Sequence, residues 1–174
     1  IIGLPKVGKT TLAKKIIDSC KDIVIGFYTE EILKHSKRIG FKIVNSYGEE
    51  AIFALKHSEM KSVGVCDNII RHYKKYDIFI NNLEKVGVDY LEKQINTNDK
   101  IFLIDEIGSM ELLSEKFCSF IVKLLNSNKR VIFTLRAKTN VFIEDIKKFS
   151  FSKIVVLAKN NFDEVYKELI SWIG

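Results

Sequence analysis

Residues 3–10 read G-L-P-K-V-G-K-T. No other stretch constrains the fold as much, because this spacing works only as a strand, a tight loop and a helix in succession. Gly3 and Gly8 permit backbone angles and close approaches that a side chain would block. Between them Leu4, Pro5, Lys6 and Val7 complete a loop whose inward N–H groups can cradle phosphate oxygens. Lys9 is placed to reach β- and γ-phosphates, and the Thr10 hydroxyl to ligate Mg²⁺. Thr11 carries the chain into a helix whose N-terminal end adds partial positive charge. Ile1-Ile2 is the stump of the feeding strand and is too short for a whole one, so native residues are expected before Ile1.

A chain of 174 residues with 47% hydrophobic content can bury a sizeable core, and one domain is expected. No apolar run approaches the ~20 residues that span a membrane, and no signal peptide is visible. Cys20, Cys66 and Cys118 are widely spaced and odd in number, which suits buried or free thiols in a reducing cytoplasm better than a disulfide framework, and a monomer is expected. His35, His57 and His72 show no metal-ligand spacing with one another or with cysteine. The net charge of +6 comes from scattered lysines and arginines. It suits a solvated surface that attracts polyanionic nucleotides, and it also admits RNA as a partner.

Along the chain, apolar segments alternate between strand and helix patterns, the signature of a parallel α/β sheet. A helix is expected over 11–20 and a strand over 22–28. Residues 38–45 alternate strongly, Ser46-Tyr47-Gly48 supplies a turn, and residues 50–55 read as a returning strand. This predicts a β-hairpin inserted at about 37–56. Residues 57–77 show no clear pattern, and 82–95 suit a helix. Lys100–Asp105 is a buried parallel strand ending in a carboxylate. Ser114 caps a helix to about Asn126, with Phe117, Phe120, Ile121, Leu124 and Leu125 on one face. A strand over 130–135, a short helix over 141–149, a strand over 154–157 and a helix over 162–173 complete the chain. In that last helix Val165, Leu169, Trp172 and Ile173 are expected to face inward.

Asp105-Glu106 is the second chemical motif. An acid at the end of an apolar strand beside a phosphate-binding loop can hold a water on the Mg²⁺ that Thr10 binds. Glu106 points differently and can orient and deprotonate an attacking water. Thr134, near the end of the next strand, suits either a contact with the γ-phosphate or attacking water or an ordinary β-branched strand position. Arg136, just beyond, suits either transition-state stabilisation in cis or a solvent-exposed side chain.

Taken together, these segments resemble the small thermophile-type nucleoside-triphosphatases, relatives of the human cancer-related nucleoside-triphosphatase. The matching stretches are Gly3–Thr11, Gly26–Glu31 (G-F-Y-T-E-E), Arg38–Phe41 (R-I-G-F) and Ile104–Glu111 (I-D-E-I-G-S-M-E), with Ser114 and Phe117 beyond. The resemblance covers nearly the whole chain. It implies a three-layer, RecA-like P-loop core with a mostly parallel central sheet. It also implies Mg²⁺-dependent hydrolysis of ATP, GTP and other triphosphates to diphosphate and phosphate. Carried over by position, Gly3–Thr10 is the phosphate site. Ile101–Gly108 is a second nucleotide-contacting segment, with Asp105 and Glu106 as its polar ends. Gly26–Glu31 is expected to be either a tight turn followed by surface acids or part of a lid or acceptor pocket. Lys6, Ser109 and Lys159-Asn160-Asn161 depart from the family pattern, and bear on rate and base preference more than on reaction class.

Two other classes compete. A nucleotide or small-molecule kinase would place Glu30 or Glu31 and Arg38 toward an acceptor, although no Arg-rich lid is evident. A nucleotide-regulated RNA- or protein-binding module would draw on the basic charge alone.

Overall fold

A computed structural model describes residues 1–62, 69–136, 140–149 and 152–174. In chain order its elements are β1 (Ile2–Gly3), α1 (Lys9–Ser19), β2 (Val24–Lys34), β3 (Lys37–Asn45), β4 (Glu50–Lys56), β5 (Ile70–Tyr73) and β6 (Tyr76–Phe79). There follow α2 (Ile80–Leu83), a π-helical segment (Glu84–Asp89), α3 (Tyr90–Glu92), β7 (Ile101–Ile107), α4 (Glu115–Leu125), β8 (Arg130–Arg136), α5 (Val141–Lys147) and α6 (Phe162–Ile173). Cys66 lies outside the described residues, whereas Cys20 and Cys118 are free and partly buried. No helix among the described residues is long and apolar enough to cross a membrane.

The strands form one sheet in the order β1-β8-β7-β2-β3-β4-β6-β5. The β1–β8, β7–β8 and β2–β7 pairs are parallel. From β2 outward the pairs are antiparallel. The α/β class thus holds. The hairpin marked in the sequence forms as β3–β4, and it belongs to a larger antiparallel half that also takes in β5 and β6. The segment over 154–157 makes only a parallel bridge, Val156 to Ile2.

Alternation along β7 divides the core between the two faces. Ile101 and Leu103 join a cluster with Leu12 and Ile16 of α1 and Val165 and Leu169 of α6. Phe102 and Ile104 turn to the other face, in a cluster with Phe117, Phe120 and Leu124 of α4. Each such side chain, removed from water, contributes roughly 1.5–3 kcal/mol. The result is three layers, helix on sheet on helix. The expected Ser114 cap forms, accepting from the Phe117 N–H at 3.0 Å. Trp172 departs from expectation: it is half-exposed, with the Arg130 guanidinium 4.2 Å from its ring centre. The ring therefore gains cation–π contact at the rim in place of core burial.

Gly26–Glu31 is neither a turn nor a lid, because it runs inside β2. Gly26 is explained by a close strand approach, since a Cβ there would lie 2.0 Å from the Leu103 carbonyl oxygen of β7. Helical structure begins at Ile80, two residues before the expected start, and includes the π turn. Gly87 lies against Phe27 and Ile43, where a Cβ would meet both at 3.0 Å. The buried Asn45 amide donates to the Val86 carbonyl at 3.2 Å, which ties the end of β3 to the π turn.

Candidate active site

β1 ends at Gly3 and α1 begins at Lys9, so residues 4–8 form the loop between a parallel strand and a helix. Gly3 sits where a Cβ would press on the Leu157 carbonyl oxygen at 2.7 Å. Gly8 is the N-cap of α1 with φ 103°, a conformation natural only to glycine, and no side chain caps the helix. The first-turn N–H groups are thus left to an external acceptor. Lys6 also adopts a left-handed conformation, φ 67°. For a lysine this costs about 1–2 kcal/mol, and it turns the exposed Lys6 side chain away from the core.

Two side chains at the start of α1 face the end of β7. The Lys9 ammonium is buried and donates to the Gly3 carbonyl at 3.1 Å. It also stands 3.5 Å from Glu106 Oε2. The Thr10 hydroxyl donates to Asp105 Oδ2 at 2.7 Å. The Asp105–Glu106 peptide is cis. These two residues fall in a register break between Ile104, paired with Phe133, and Ile107, paired with Leu135. The break lets two consecutive carboxylates both address the loop, where a regular strand would send them to opposite faces.

Asp105 is fully buried. Its Oδ1 accepts from the Thr134 hydroxyl, so Thr134 bears on the site through Asp105. Burial raises the Asp105 carboxyl to about 6, against the lowering effect of the Thr134 and Thr10 hydrogen bonds. Glu106 is held from its other side by Arg136, whose Nε donates to Oε1 at 2.7 Å. Arg136 is therefore partly enclosed and paired. Glu30 and Arg38 are engaged elsewhere. Lys14 of α1 donates to Glu30, Lys42 lies 3.3 Å from it, and Arg38 pairs with Glu31 at 2.6 Å and with the Tyr76 hydroxyl. Asn161 closes the turn before α6, its Oδ1 accepting from the Ala158 N–H at 2.8 Å and its amide donating to Val156.

Sequence reasoning did not mark Glu111 as a site residue, although it closes the I-D-E-I-G-S-M-E segment. It is 3% exposed, and a Cβ on Gly108 would lie 2.7 Å from Glu111 Oε2 and 3.0 Å from Glu106 Oε1. Gly108 thus leaves room for two acids to approach one loop. Burial, then the nearby Glu106 charge, pushes the Glu111 carboxyl from 4.5 up to about 8. The folded chain therefore keeps a proton that the unfolded chain has released between those values, and stability falls as pH rises through that window. Without nucleotide or Mg²⁺, Glu111→Gln is expected to gain on wild type by on the order of 1 kcal/mol or more between pH 5 and pH 8.5. Parallel stability curves from urea melts at several pH values would refute this.

A glycine-rich loop between a parallel strand and a helix, facing an acid-tipped neighbouring strand, defines the P-loop NTPase class of α/β folds. A family model described as NTPase matches residues 1–170. Nucleoside-triphosphatase THEP1 of Thermotoga sp. (strain RQ2) is 39% identical over 174 residues, covering 98% of this chain and 92% of that protein. The protein of the same name from Methanocaldococcus jannaschii is 35% identical over 178 residues, covering 99% and 95%. Among solved structures, the crystal structure of THEP1 from Aquifex aeolicus matches with a TM-score of 0.82 at 28% identity, covering 99% of this chain and 96% of that one. The solution structure of a human cancer-related nucleoside triphosphatase shares the fold, with a TM-score of 0.74 at 24% identity over 99% and 94% of the two chains. The chain belongs to the NTPase family.

Proposed function

We propose that this chain hydrolyses nucleoside triphosphates, ATP and GTP among them, to diphosphate and phosphate in a Mg²⁺-dependent reaction. The observation that carries the reading is the meeting of Lys9 and Thr10 with Glu106 and Asp105 at the open N-terminus of α1. The donor set fits Mg²⁺, because the Thr10 hydroxyl and the Asp105 carboxylate are hard oxygens set side by side. When bound, Mg²⁺ would neutralise charge on the β- and γ-phosphates. Thr10 would ligate it, and Asp105, fixed by Thr134, would hold a water of its shell.

The remaining work belongs to the chain. The N–H groups of the loop and of the first turn of α1 bind phosphate oxygens. Lys9 moves from its contacts with Gly3 and Glu106 onto the β- and γ-phosphates. Glu106, then retained by Arg136, accepts a hydrogen bond from the attacking water and holds it in line. Catalysis on this reading is positioning and electrostatics. The names of the relatives support the reaction class. A kinase reading has less support, since Glu30, Glu31 and Arg38 are engaged by Lys14, Lys42, Tyr76 and one another.

Phosphate release from ATP, GTP, CTP and UTP, with Mg²⁺ or with EDTA, tests the proposal. The expected result is turnover of several triphosphates that EDTA abolishes. Release of diphosphate only in the presence of an added nucleoside or nucleotide acceptor would replace hydrolysis with phosphotransfer.

A further inference from the structure

At the opposite end of the sheet order from β1, three side chains converge that the hydrolytic site does not use. His57 follows β4 directly, His72 lies on β5 and Asp77 on β6. His57 Nδ1 is 2.8 Å from Asp77 Oδ2, and His72 Nδ1 is 2.5 Å from Asp77 Oδ1. One ligand atom from each residue lies within 4.8 Å of the other two. Asp77 is 4% exposed, so its carboxylate is not free to reorient into solvent. It is fixed by two strand pairings, opposite Leu55 on β4 and opposite His72 on β5. The sequence does not show this cluster, because the two histidines lie fifteen positions apart and only the β5–β6 turn folds His72 against Asp77.

The orientation of His57 supplies a second argument. Its Nε2 lies 3.0 Å from the Lys74 carbonyl oxygen. A carbonyl and an ionised carboxylate both only accept, so without metal both ring nitrogens of His57 donate; an ion would take the place of the Nδ1 hydrogen and leave Nε2–H on the Lys74 carbonyl. A backbone carbonyl on the far ring nitrogen is the support that metal-ligating histidines ordinarily have. The two rings stand 5.6 Å apart, centre to centre, on either side of the carboxylate. One imidazolium would be enough to neutralise Asp77, yet two rings are aimed at it.

We propose that His57 Nδ1, His72 Nδ1 and the Asp77 carboxylate form a binding site for one divalent first-row transition ion of the zinc class. Imidazole and carboxylate donors suit Zn²⁺, Ni²⁺ or Cu²⁺ and disfavour Mg²⁺. Three protein ligands leave a fourth position to water. Ligand atoms around tetrahedral zinc stand roughly 3.3 Å apart, so the ion requires the cluster to open slightly. The His72 side chain, 76% exposed, has room to swing. The bound ion would tie the end of β4 to the β5–β6 hairpin. Tyr73 on that hairpin comes close enough to Ser109, in the segment that follows Glu106, for that hydroxyl to lower its pKa.

The test uses the untagged full chain in chelator-free buffer. Zn²⁺ affinity is measured by competition with a chromophoric chelator, and the ligand type by the visible absorption of Co²⁺. One ion per chain with nitrogen and oxygen ligation is expected. His57→Ala and His72→Ala should each weaken Zn²⁺ binding at least ~10-fold. The His72 ring is 76% exposed, so His72→Ala should melt near the wild type in the absence of metal, while His57→Ala, which loses its bonds to Asp77 and Lys74, is judged on Zn²⁺ affinity alone. Added Zn²⁺ should raise the melting temperature of the wild type and leave that of His72→Ala in place. Failure of the wild type to bind Zn²⁺, wild-type affinity in the two variants, or thiolate charge-transfer bands with Co²⁺ would each overturn the proposal.

Discussion

Glu106→Gln is expected to bind Mg²⁺-ATP with little change in affinity while its turnover falls at least ~10²-fold. The substitution keeps shape and removes only charge and basicity. The amide oxygen can still accept from Arg136, which now donates to Oε1 at 2.7 Å. What it cannot do is accept a proton from the water that attacks the γ-phosphate. Loss of the negative charge also relieves the pairing with Lys9 at 3.5 Å, which favours the movement of Lys9 to the phosphates and protects binding. The measurement pairs nucleotide affinity, read with a fluorescent analogue, with phosphate release at saturating ATP. Wild-type turnover in this variant would remove Glu106 from the mechanism and leave the rest of the site standing.

Lys9→Ala should lower both quantities. Its ammonium is buried at 8% exposure between the Gly3 carbonyl and Glu106, where a charge interacts more strongly than in water. On the proposed reading it is the one side-chain cation of the loop that meets the β- and γ-phosphates. A fall of roughly 10²–10³-fold in kcat is expected, as for removal of a preorganised donor, together with weaker binding. The lysine tail does little for the core, so the variant should melt close to the wild type. Unchanged turnover in a folded Lys9→Ala protein would mean that phosphate is bound elsewhere and would sink the hydrolytic proposal.

The parallel half of the sheet was readable because β7 is apolar on both faces and because β1 and β7 each end at a chemical motif. The phosphate-binding loop, the run ending in Asp105-Glu106 and the amphipathic α4 all carry local signals of that kind. The antiparallel half was less readable. Residues 57–77 include the four-residue strand β5, Ile70–Tyr73, whose two central residues, Arg71 and His72, are polar and exposed, so no apolar alternation marks it even though its partner β6 follows directly across a turn. Gly26 suggested a turn because a glycine's need for space is invisible until Leu103 is seen beside it. At the site, Asp105 and Glu106 were legible as residues. Their shared direction was not, since it depends on a register break between β7 and β8. Thr134 ends at the Asp105 carboxylate for the same reason: side-chain direction follows pairing. Glu111 escaped notice because nothing local marks a carboxylate that will be buried.

β2 has one further consequence. Over Val24–Phe27 it is bonded to β7, and over Phe27–Lys34 to β3. The same eleven-residue strand is thus a structural member of both halves of the sheet. Neither half can melt without stripping hydrogen bonds from a strand that the other half uses, so the energetic cost of opening one is felt by both. The phosphate-binding end and the outer ribbon are mechanically in series, with Phe27 as the shared link.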